Sequence, residues 1–122
     1  MNPSRLVRLA HGTRLSAIRD AVAAVEHSTT TPAAIATAAG LCRIEAGFLS
    51  LDGRDDLATD AETIALLLED ERTTRMDRID VGDLAPESSN DRAGRRAAIR
   101  AAMSNLEREV TAWLNEHNSE AA

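Results

Sequence analysis

The sequence predicts an all-α protein, and three observations carry that prediction. With no Tyr, one Phe (Phe48) and one Trp (Trp113), the chain lacks the aromatic stock that strands favour. Of its 53 apolar residues 23 are Ala, and an Ala-, Leu- and Arg-rich chain favours helices. Apolar residues also recur three and four apart over long windows, which puts them on one helical face. A length of 122 residues suits one domain. Leu, Ile, Val and Phe together number only 25, so the core is thin.

In chain order, the first periodic window is Thr13 to His27, where Leu15, Ile18, Val22 and Val25 share a face. Thr13, after Gly12, is a candidate N-cap. Residues 3–10 read as an earlier turn or two, with Pro3 in the first helical position, Leu6 and Leu9 facing inward, and Gly12 interrupting or bending the helix. Ser28 to Pro32 reads as a loop ending in an N-cap at Thr31, because Pro32 at the first helical position forfeits only a hydrogen bond that would not form anyway. A short helix from Pro32 to Ala39 is expected to stop at Gly40. A second, from about Cys42 to Leu51, stops at the turn dipeptide Asp52-Gly53.

Thr59-Asp60-Ala61-Glu62 has the form of a capping box, introducing a helix through Ile64, Leu67, Leu68 and Glu71 to Arg75. Residues 76–90 read as an acidic loop or linker with one short extended piece at 79–81. The last helix, from Asp91 to His117, would be about 40 Å long. Its seam of Ile99, Met103, Leu106, Val110 and Trp113 has heptad-like spacing, with His117 as a polar end. The expected division is a helical domain over 1–75, the linker over 76–90, and a long C-terminal dimerisation helix and tail over 91–122.

Residues 13–51, with Pro32, Ile35, Ala36, Ala39, Gly40, Leu41, Ala46 and Leu49 in their places, resemble the helix-turn-helix and winged-helix-like transcription regulators. In that pattern a small residue sits where two helices cross, and a glycine with positive φ makes the turn. The resemblance implies a helix-turn-helix-like N-terminal bundle whose second motif helix enters the major groove of double-stranded DNA. The residues it offers to DNA are Arg43, Ile44 and Phe48 on that helix, Thr30 and Thr31 at the start of the first, and Arg54 beyond the second. Only Arg43 is a strong donor to a base edge.

Charge cuts against a broad polyanion surface. The net charge of −6 is distributed as +2 over residues 1–51, −8 over 52–90 and zero over 91–122. The middle therefore repels phosphate. Catalysis has no evident machinery: His11, His27 and His117 lie far apart, Cys42 has no visible activating base, and no metal-ligand spacing or phosphate-cradling glycine loop occurs. No cofactor or metal is expected. No apolar run approaches the eighteen or so residues that span a bilayer, and residues 1–10 do not read as a secretory signal, so the expected setting is cytoplasmic without a membrane partner.

These readings lead to a non-enzymatic protein, a small DNA-binding transcriptional regulator acting as a homodimer through its last helix. The alternative is a helical protein-interaction module, antitoxin-like or a virus-associated adaptor, for which Ile44 and Phe48 are good anchors.

Overall fold

The computed structural model describes residues 5–27, 30–80 and 89–121, and the side chains of 5–27, 30–76 and 93–116. These residues form four helices and no strand: α1 (Arg5–Ala24), α2 (Pro32–Leu51), α3 (Asp55–Asp80) and α4 (Ser89–Ala121). The all-α fold class therefore holds. Each helix packs on the next, and α4 returns to α1, closing a ring. The ring runs up and down, since Glu45 of α2 meets His11 of α1, and Glu71 of α3 meets Arg95 of α4.

The α1 helix runs through Gly12 without interruption. It ends in a tightened turn, with the amides of Val25, Glu26 and His27 donating to carbonyls three residues back. Leu15, Ile18, Val22 and Val25 are buried as the periodicity predicts. Leu6 and Leu9 are not: they are 78% and 57% exposed, because the core-facing phase near that end belongs to His11.

The cap of α2 forms as expected, with the Thr31 hydroxyl accepting from the Ala34 amide at 3.2 Å and Pro32 behind it. The turn at Gly40 does not form. The helix continues unbroken to Leu51, so the two short helices and the crossing expected between them are one element. The surrounding alanines outweigh a single glycine, whose cost in a helix is only about 1 kcal/mol. The one described glycine with positive φ is Gly53, at +82°, in the three-residue turn where the Asn- and Gly-type chemistry of Asp52-Gly53 predicted it.

The α3 helix starts four residues before the expected capping box. Asp55 and Asp56 occupy its first turn, where carboxylates suit the helix dipole, and the Thr59 hydroxyl bonds back to the Asp55 carbonyl instead of capping. It also runs past Arg75 to Asp80, so 76–80 is helix rather than linker, and the extended piece at 79–81 is absent at Ile79 and Asp80. Val81 and the rest of the linker to residue 88 lie outside the described residues, as does the side chain of His117.

The α4 seam is spent inside the chain. Ile99, Met103, Leu106, Val110 and Trp113 are all nearly or fully buried in the same core as Ile18, Ile35, Leu49, Ile64 and Leu68. The expectation that this stripe is left for a second copy rested on short neighbouring helices. The other three are 20, 20 and 26 residues long, enough to cover it.

Candidate functional site

The most distinctive chemistry lies where the start of α1, the end of α2 and the later part of α4 meet. His11 is fully buried there. Its Nδ1 faces both oxygens of Glu45 at 3.0 and 3.1 Å, and its Nε2 faces Oδ2 of Asp52 at 2.6 Å. Carboxylates only accept, so both contacts are satisfied together by an imidazolium that donates from each nitrogen. Burial pulls the His11 pKa down, but its hydrogen bonds to Glu45 and Asp52 outweigh it and hold the pKa above the ordinary histidine value. The ring also meets Trp113 edge-on, with centroids 5.3 Å apart.

Glu45, itself fully buried, accepts a second charge-assisted bond from Nε of Arg14 at 2.8 Å. The Arg14 guanidinium in turn lies 4.0 Å from the centroid of the Phe48 ring. A continuous chain of contacts thus runs from the core at His11 to the outer face of α2. Both imidazole nitrogens are held by carboxylates, and the buried Cys42 thiol is pushed up to about 11 by desolvation. Among the described residues no cluster of His, Cys, Asp or Glu is placed to hold a metal ion.

The outer face of α2 is apolar. Ile44, Phe48 and Leu51 are 54%, 42% and 82% exposed, and with the half-buried Leu41 they follow spacings of three, four and three. Gly47 lies between Ile44 and Leu51, and a Cβ built there would meet nothing within 4 Å. Because the inner face is apolar too, α2 is long and apolar enough, by length and composition, to cross a membrane, with mean hydropathy 1.4 and 39% of its most apolar window buried. A search for one continuous apolar run misses this because Thr37, Arg43 and Glu45 punctuate the helix.

The six residues expected to face DNA do not converge. Thr30 and Thr31 sit before α2 and Arg54 beyond it, separated by about 30 Å of helix. The Thr30 hydroxyl donates to the Ala24 carbonyl, and the Thr31 hydroxyl is the cap. Arg43 pairs with Glu69 of α3 at 3.4 Å. Arg54 grips both oxygens of Asp56, at 3.0 and 2.9 Å, and lies 5.3 Å from the Trp113 ring. Only Ile44 and Phe48 remain together on an open surface. The ionic cluster escaped sequence reading, although Glu45 falls on the apolar phase of α2 between Cys42 and Leu49, where a carboxylate must find a buried cation.

No protein-family model, curated protein or solved structure matches this chain.

Proposed function

We propose that this chain is a non-enzymatic helical interaction module that assembles through the outer face of α2, with a second copy of itself as the partner. The observation that carries this reading is the exposed stripe Ile44, Phe48 and Leu51, extended by the half-buried Leu41, on a helix that is apolar on its inner face as well. Such a helix is stable in water only when both faces are covered, and the bundle covers one. The 3-4-3 spacing is that of a helix-pairing seam, and a stripe crossed by a two-fold axis pairs with itself. Gly47 allows a facing backbone to come close. Full burial of a large side chain contributes about 1.5–3 kcal/mol; Ile44, Phe48 and Leu51, at 54%, 42% and 82% exposed, gain the exposed share of that in each of two copies, set against the cost of association. The homodimer expected at α4 is thereby proposed at α2.

Sedimentation of the wild type beside Phe48→Glu and Leu51→Glu tests this. A wild-type dimer that both variants convert to a monomer with unchanged helical circular dichroism supports it. A monomeric wild type overturns it, and the same chain titrated with vesicles and with duplex DNA then shows which surface replaces a second copy. Salt-dependent duplex binding lost in Arg43→Ala would restore the regulator reading.

A further inference from the structure

The contact between α1 and α4 is the thinnest in the ring, and a cleft of about 310 Å³ opens along it. Val22 and Val25 of α1 and Ile99 and Met103 of α4 line its apolar part. Arg96 and Arg100 stand at one end, and Arg19 lies along the same groove. These arginines differ in what already holds them. Arg100 donates to Glu26, also in the cleft wall, at 2.7 Å, and Arg19 reaches Ser16 at 3.2 Å and Asp20 at 3.9 Å. Arg96, half-buried at the lip, has no carboxylate partner among the described residues, and its Nε is buried without a hydrogen bond.

A guanidinium with no carboxylate partner beside an apolar slot is a group that can receive a carboxylate with a hydrocarbon body. The volume is at the low end for small-molecule clefts. We propose that the α1–α4 cleft binds a medium-chain amphipathic carboxylate, its head group on Arg96 and its chain on Val22, Ile99 and Met103. The site shares no residue with the α2 stripe and stands or falls apart from the assembly proposed above. Glu26 and Glu107, which also line it, set a preference for one negative charge over two by repelling a dianion.

The test uses the full chain and sodium decanoate, followed by amide chemical shifts and calorimetry. Saturable binding tighter than about 1 mM is expected, with shifts concentrated on 19–26 and 96–107. Arg96→Met, which keeps the stem and removes the charge, should weaken binding at least tenfold, while Arg108→Met, on the same helix outside the cleft, should leave it unchanged. Decanol binding as tightly as decanoate, an unaffected Arg96→Met, or no saturable binding would each overturn the proposal. Filling the floor with Met103→Phe supplies a second check: retained affinity in that variant, if folded, also overturns it.

Discussion

The bundle carries a buried ionic cluster at each end, and the two are built from different chemistry. At one end His11 lies between Glu45 and Asp52, with Arg14 completing the set. At the other, Glu71, only 3% exposed, accepts from Nε of Arg75 at 2.8 Å and Nε of Arg95 at 2.6 Å. Arg75 also donates to the carbonyls of Val25 and Thr30, each at 2.7 Å, tying α3 to the α1–α2 connection. The histidine cluster can discharge by losing a proton from its imidazolium; the arginine cluster cannot, because a guanidinium stays charged at any ordinary pH. The same need, to neutralise a carboxylate inside an apolar bundle, is thus met by one reversible and one permanent cation.

The largest expected effect follows from permanence. Glu71→Leu takes the shared carboxylate from two largely buried arginines, 11% and 14% exposed, and should destabilise the fold by about 3–5 kcal/mol in urea unfolding at both pH 5 and pH 8. A cost under about 1 kcal/mol would show that water reaches this end and that the two clusters are not equally buried.

A smaller and pH-dependent loss is expected at the histidine end. Glu45→Gln should cost more at pH 5 than at pH 9, because the charged imidazolium that Glu45 stabilises in the wild type is favoured at the lower pH. Equal costs at the two pH values would erase the distinction between the ends.

The wild type should then lose stability toward higher and toward lower pH for different reasons. The His11 pKa is raised in the folded state, so its contribution is complete below about 6.5, the unfolded value, and is lost as pH rises through the folded value. Burial pushes Glu71 up, but Arg95 and Arg75 outweigh it and lower its pKa, so its contribution is present above the unfolded value of 4.5 and is lost as pH falls. Thermal melts across pH should show both limbs, and His11→Gln should flatten the alkaline one alone.

The smallest effect serves as the control between the ends. Gly40→Ala touches neither cluster, meets nothing within 4 Å, and should stabilise the chain by about 0.5–1 kcal/mol at every pH. Destabilisation there would mean that the residue needs a left-handed turn, as the helix-turn-helix reading supposed.

What could be read before folding was local. The cap at Thr31, the turn at Asp52-Gly53 and the inward phase of α1 from Leu15 to Val25 depend on residues within a turn or two of each other, and these appear where expected, whereas Leu6 and Leu9 face outward. The Gly40 break failed because the alanines within the motif itself favour an unbroken helix, and the Thr59 cap failed because an acidic first turn at Asp55 lies just ahead of it.

The sequence by itself determined that this protein is helical, which stripes are apolar and where the acidity lies, since propensity, periodicity and charge are properties of neighbours along the chain. Only the tertiary structure decided which stripe is covered and which charges meet. The α4 seam and the outer α2 stripe have the same kind of spacing, yet closing the ring buries the first and leaves the second open. Glu45 and His11 are 34 residues apart, and Glu71 and Arg95 are 24 apart. Their pairing follows from antiparallel packing that places distant residues side by side, which no spacing along the chain encodes.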